Sequence, residues 1–181
     1  FLTQRGLQGE LDNPVFTAAF VAASKAGRTD AECLAYANAV VEAGMDEAAA
    51  TAFAPTVNDV EVHDPIFMQT LRESWTHYKL DFGYDDEGAQ RCALDDAHAL
   101  FNLGVGPDGM PSVGLRADLA DPVFAADFLA GLEATGSVWA AWEHARAPLR
   151  EARAAGASDA EMSDPVFRAA VMSTWRACTP S

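Results

Sequence analysis

The sequence predicts an all-α protein, a helical bundle of about seven to nine helices built from duplicated helical hairpins. Three observations carry that expectation. A pentapeptide returns four times, as DNPVF from Asp12, HDPIF from His63, ADPVF from Ala120 and SDPVF from Ser163. Two stretches, AGRTDAE from Ala26 and AGASDAE from Ala155, share a glycine followed by a capping signal. No stretch shows the sustained two-residue alternation of a half-buried strand.

Each pentapeptide reads as a helix start. An Asx residue (Asn13, Asp64, Asp121, Asp164) precedes a proline (Pro14, Pro65, Pro122, Pro165). The Asx side chain accepts from a free first-turn N–H, and proline at the first helical position gives up a donor that had no partner. The Phe that follows (Phe16, Phe67, Phe124, Phe167) then faces the core, with Phe20, Leu71, Phe128 or Val171 one turn later on the same face. A ligand site used four times is the rival reading. It would want a polar group after the cap, and the copies offer Val or Ile, then Phe.

The remaining elements follow in chain order. Thr29 with Glu32, and Ser158 with Glu161, have the spacing of capping boxes. The helix after Thr29 carries Leu34, Ala37 and Val41 as its expected buried face and stops near Gly44, while the helix after Pro65 carries Phe67, Leu71, Trp75 and Tyr78. A further helix is expected over DDEGAQRCALDDAHALFNLG, ended by Gly104. Downstream of Pro122 two helices part near Gly136, the second kinked or ended at Pro148. The uneven spacing of the pentapeptides argues against a fixed-period solenoid. At 181 residues the chain suits a single helical domain over 1–181, with two pseudo-repeated halves, about 1–62 and 63–181, as the alternative.

Composition narrows the classes of function. Twelve basic residues against 27 acidic ones give a formal charge of −15, which repels nucleic-acid backbones and anionic lipid surfaces. No apolar run approaches a membrane span, so direct membrane insertion is not expected and a soluble protein is. Cys33, Cys92 and Cys178 are odd in number and far apart, which predicts no disulfide framework and at least one free thiol. The opening FLTQRGLQGE has no initiator Met, which suits either a processed precursor or a sequence that is part of a longer chain.

Catalytic motifs are missing: no GxSxG, HExxH, phosphate loop or CxxC occurs, so the chain reads as a non-enzyme with no catalytic residues. Asp81, Asp85, Asp86 and Glu87 read as a helix-start cluster, with a hard-cation site or carboxylate dyad as the rival. Among His63, His77, His98 and His144 the informative one is His98, whose helical neighbours Leu94, Asp95, Phe101 and Asn102 are half apolar and half polar. That pattern fits a satisfied boundary residue, or an imidazole at the edge of an apolar cavity.

The stretch AHALFNLGVGPDGMPSVGLRADL, Ala97 to Leu119, resembles the peridinin-chlorophyll proteins, soluble light-harvesting proteins of dinoflagellates. There an Ala-His on a helix is followed eight residues later by a Gly-Pro-Asn-Gly turn and then by Arg-Ala-Asp; here His98 leads to Gly106-Pro107-Asp108-Gly109 and then Arg116-Ala117-Asp118. This chain has extra residues between turn and triplet and lacks the family's adjacent second histidine. The resemblance implies a helical vessel for chlorophyll and a peridinin-type carotenoid in an apolar cavity, working without bond chemistry in the thylakoid lumen of a plastid. It further implies that His98 holds the chlorophyll magnesium through a water, with Leu94 and Phe101 packed near the pigment and Gly106 and Pro107 closing the mouth.

Two functional readings follow. One is that light-harvesting pigment-binding protein. The other is a helical accessory or adaptor subunit that docks, without bound pigment, on a larger assembly, photosynthetic or not, or on itself as a homo-oligomer. Its contact face would be the aromatic-rich final third, Trp139, Trp142, Phe167 and Trp175. Pigment binding predicts visible absorption bands in protein purified from its source, and a shifted long-wavelength band in His98→Leu, since leucine offers a magnesium-bound water no acceptor. A colourless, fully folded protein overturns that expectation.

Overall fold

The computed structural model describes residues 10, 12–102 and 114–178. Among these residues the chain is all helical, with no strand. The helices are α1 (Pro14–Lys25), α2 (Asp30–Ala43), α3 (Glu47–Phe53), α4 (Asp59–Val62), α5 (Pro65–Leu80), α6 (Asp86–Asn102), α7 (Leu115–Asp118), α8 (Pro122–Thr135), α9 (Val138–Ala145), α10 (Ala147–Ala154), α11 (Asp159–Ser163) and α12 (Pro165–Cys178). Three of them, α4, α7 and α11, are single turns.

All four Asx-Pro sites start helices. Asn13 Oδ1 accepts from the Val15 and Phe16 amides at 3.0 and 3.4 Å, Asp64 Oδ1 from Ile66 and Phe67 at 3.1 Å each, and Asp121 Oδ1 from Val123 and Phe124 at 2.8 and 3.3 Å. Asp164 Oδ1 accepts from Val166 at 2.9 Å. The capping boxes at Thr29 and Ser158 both close, and Asn58 with Glu61 forms a third. Gly44 and Gly136 end α2 and α8 in the left-handed conformation. Pro148 separates α9 from α10 by sitting in the first turn of the latter, where its missing N–H costs nothing.

The chain forms two compact units, Phe1–Ala97 and His98–Ser181, and the division falls inside α6 rather than near residues 62 and 63. The earlier position is bridged because α2 packs against α4 and α5, on either side of it. Within the first unit α1 also lies against α2 and α3; within the second, α8 lies against α9, and α12 against α8, α10 and α11. Order and sequence repeat between the units. Residues 47–75 align with 147–175 without a gap, pairing Asp59, Glu61, Asp64, Pro65, Phe67 and Trp75 with Asp159, Glu161, Asp164, Pro165, Phe167 and Trp175. So α1 to α5 reappear as α8 to α12, the main difference being a second helix shortened from α2 to α9.

The buried faces hold most of the expected core and shift part of it. Phe16, Phe67, Phe124, Leu71 and Phe128 are buried, as is Trp75. On α2 the buried stripe is Cys33, Tyr36, Ala37 and Val40, one position round from the expected Leu34, Ala37 and Val41; Val41 is exposed. Tyr36 sets that rotation, its hydroxyl donating to the Ala50 carbonyl at 2.7 Å in the interior. Phe167 departs from its three counterparts in being only half-buried. On α12 the buried positions are Arg168 and Met172, and Arg168 is drawn inward by the buried Asp118.

Asp118 on α7 organises the second unit. Its carboxylate accepts from Trp142 Nε1 at 2.9 Å and pairs with Arg168, while Arg146 Nη1 stands 3.9 Å away with its guanidinium over the Trp142 ring at 5.4 Å. All four side chains are buried. Gly114 lets the chain enter α7: its φ is +85°, and a Cβ there would stand 2.7 Å from the Phe101 carbonyl oxygen. Gly131 similarly allows α8 to close on α9, where a Cβ would meet Ala141 Cα at 3.2 Å.

Replacing a fully buried anchor by alanine, as in Phe16→Ala, Phe67→Ala or Phe124→Ala, is expected to cost about 3 to 5 kcal/mol in denaturant unfolding. Phe167→Ala is expected to cost at most about half as much, because part of its ring is already in water. Equal losses at all four positions would show that Phe167 is an anchor of the same rank.

Candidate functional site

A short stretch at the end of α5, KLDFGYDD from Lys79, places its apolar side chains outward. Leu80 is 78% exposed, Phe82 58% and Tyr84 42%. The helix ends here for a local reason. The Tyr84 amide turns back to the Tyr78 carbonyl at 3.0 Å, and Gly83 takes a φ of +67° that a residue with a Cβ seldom adopts. The turn reverses the chain between Phe82 and Tyr84, leaving both rings on the surface against Tyr78.

The rings form a connected cluster. Tyr78 lies 5.5 Å from Tyr84 and 5.8 Å from Phe82, centroid to centroid; Phe82 is 6.1 Å from Tyr84; and His77 stands edge-on to Phe82 at 4.9 Å. These are the distances of attractive aromatic pairs, so the knuckle is ordered by its own contacts. Behind it, the Tyr78 hydroxyl pairs with the Asp96 carboxyl of α6. Burial holds the Asp96 carboxyl above the usual carboxylate range, against the opposing hydrogen bond from Tyr78. Burial, together with the bond to Asp96, pushes the Tyr78 hydroxyl up to about 12.

Charge surrounds the cluster. Asp81, Asp85, Asp86 and Glu87 are all exposed. Asp85 caps α6 by accepting from the Gly88 amide at 2.8 Å, Asp86 meets Lys79 Nζ at 2.7 Å, and Asp81 Oδ2 meets His77 Nδ1 at 2.6 Å. The cluster thus serves as a helix start and in surface pairs. Among the described residues no group of three or more His, Cys, Asp or Glu side chains is placed to hold a metal ion.

The residues singled out from sequence are placed differently from that expectation. His98 is exposed on α6. The buried stripe of this helix runs through Ala89, Ala93, Ala97 and Phe101, and His98 lies one residue, about 100° of helix rotation, past Ala97. Leu94 is half-buried for the same reason. Phe101 is buried, with the Arg116 guanidinium over its ring at 5.8 Å. Gly106 and Pro107 lie outside the described residues. Concavities among the described residues include a groove of about 360 Å³ lined by residues such as Ala39, His63 and Met68, a second beside α1 and α3, and a small one beside Asp118.

The aromatic-rich final third is not a continuous face. Trp142 is fully buried on Asp118, Trp139 and Phe167 are half-buried, and Trp175 is 38% exposed. Among the described residues exposed rings gather at the Phe82–Tyr84 knuckle, which sequence reasoning passed over. The signal was available as Phe-Gly-Tyr following a polar helix end, with alternate large rings about a glycine. No family model matches the chain, and the searches of curated proteins and of solved structures found no match.

Asp96 gives the site a pH signature. With its folded-state value raised, its contribution to stability is fully present below the ordinary carboxylate value of 3.8 and is lost as pH rises through the folded value. Asp96→Asn keeps an uncharged acceptor for Tyr78 and removes that loss. The variant is therefore expected to gain in denaturation midpoint over the wild type as pH rises from the acid side to neutrality, in paired urea titrations. A difference that shrinks over the same range would show that the charged carboxylate is the favoured form.

Proposed function

We propose that this chain is a non-catalytic helical accessory protein that docks on a partner through the Tyr78–Phe82–Tyr84 knuckle. One observation carries the reading: Leu80, Phe82 and Tyr84 are all exposed within five residues, the two rings held by ring contacts and the Gly83 turn. Exposed large apolar side chains are unremarkable singly, whereas a contiguous, ordered group rimmed by charge marks an interaction site. Preorganisation strengthens the reading, because rings already fixed by one another lose little entropy on binding. The acidic balance of the chain disfavours nucleic acid and anionic lipid, and among the described residues no helix is long and apolar enough to cross a membrane.

Chlorophyll ligation by His98, with a carotenoid alongside in a plastid protein, draws less support. It needs an imidazole at the rim of an apolar cavity, and His98 is exposed on the side of α6 away from its buried stripe. The adaptor reading keeps its class and changes its face, from the final third of the chain to the end of α5.

The native protein is expected to co-fractionate with a larger assembly, and a Phe82→Ala/Tyr84→Ala double variant expressed in the same source to run as the free chain. Because both rings are exposed, the variant should keep its helical circular dichroism. A double variant that still co-fractionates, or a wild type that runs alone, overturns the proposal.

A further inference from the structure

The knuckle carries enough chemistry to identify the kind of partner it fits, an inference that rests on the docking reading above. Three features converge where α5 ends and α6 begins. The first is a pair of exposed ring systems, Phe82 and Tyr84, steadied from behind by Tyr78. Next is the local charge: Asp81, Asp85, Asp86 and Glu87 lie between residues 81 and 87, against Lys79 and, one turn into α6 from Glu87, Arg91. The third is a cation already bound in this mode: Lys79 places its ammonium 5.7 Å from the centroid of the Trp75 ring and 2.7 Å from Asp86 Oδ1.

An aromatic face attracts a cation through its quadrupole, and a carboxylate beside it adds a charge-assisted hydrogen bond. Lysine and arginine both satisfy the first requirement. The planar guanidinium satisfies both together, since it stacks flat on a ring while its edge pairs a carboxylate in two places. The pairs His77–Asp81 and Lys79–Asp86 leave those carboxylates accessible, with side chains 65% and 63% exposed. Leu80 adds an aliphatic surface at the edge of the rings, which suits an apolar side chain interspersed with the cations. A purely apolar partner would cover the rim carboxylates with groups that cannot pair with them, which disfavours it. An acidic partner would meet repulsion from a chain of net charge −15.

We infer that the knuckle takes an arginine-rich segment of a partner protein, its guanidinium groups laid on the rings of Phe82 and Tyr84 and paired by the carboxylates of the Asp81–Glu87 rim. Association is steered by the acidic surface and weakens with salt, while discrimination of arginine from lysine comes from the rings.

The test uses the full chain and synthetic peptides in which Arg alternates with Leu, with matched Lys and Glu versions, titrated by isothermal calorimetry at low and high salt. The Arg peptide is expected to bind, the Lys peptide several-fold more weakly, and the Glu peptide not at all. Phe82→Ala/Tyr84→Ala is expected to weaken the Arg peptide by at least about tenfold. The rim variant Asp81→Asn/Glu87→Gln should weaken it less and flatten the salt dependence. Equal affinity for wild type and the ring variant would reduce the effect to diffuse electrostatics and overturn the inference, as would equal binding of the Glu peptide. Self-association through the knuckle that the Arg peptide cannot reverse, seen by sedimentation, would assign the face to a second copy of the chain and also overturn it. Should the wild type co-fractionate with a partner through Phe82 and Tyr84 yet show no preference for arginine, this inference falls and the docking reading stands; a wild type that runs alone fails both.

Discussion

An Asx side chain followed by proline is the constraint on which most of this structure depends. Proline at the first helical position fixes φ and has no amide to satisfy, and the Asx oxygen satisfies those that follow. The chain uses the device at Asn13, Asp64, Asp121 and Asp164, and each time it fixes where a helix begins and therefore which way the next Phe points. Three of those Phe residues are buried. The cap sets direction, and the surrounding unit decides whether there is anything to pack against.

That distinction shows in the divergence of the two repeated units. In the first, Phe53 stands edge-on to Trp75 at 5.6 Å and the tryptophan is buried. The aligned residue in the second unit is Arg153, which turns to Asp159 at 2.6 Å, and Trp175 is left partly in solvent. The buried Met68 of α5 corresponds to Arg168 of α12, and the half-buried Arg72 to the buried Met172. A guanidinium taken inward needs a carboxylate, and Asp118 supplies it with help from Trp142 and Arg146. Such a centre contributes little net stability over an apolar core, but removing one partner strands a buried charge. The second unit has thus exchanged part of an apolar core for a polar one.

The surface follows from how helices end as well as how they begin. α5 stops at a glycine turn that folds Tyr84 back on Tyr78, and the residues between have no interior to enter. Phe82 and Tyr84 are consequently displayed, ordered by ring contacts, with the first-turn carboxylates of α6 beside them. The acidity that suits a helix N-terminus also forms the rim of the aromatic face. One local arrangement therefore serves both folding and recognition.

By itself the sequence determined the helix starts, the capping boxes at Thr29 and Ser158, the breaks at Gly136 and Pro148, and the absence of strands among the described residues, because each rests on interactions within one helical turn. It did not determine which face of a helix is buried when several apolar residues compete. Val41, Trp142 and His98 show this: Tyr36 reaching Ala50 rotates α2, Asp118 draws Trp142 inward, and the alanine stripe of α6 turns His98 outward. Nor could spacing show that Phe82 and Tyr84 meet Tyr78, since a glycine turn brings them together across the end of a helix. Tertiary structure decided those cases because burial is settled by what stands opposite a side chain, and the partners, Ala50, Asp118 and Asp96 among them, lie 14 to 24 residues away for the first two and on another helix for the third.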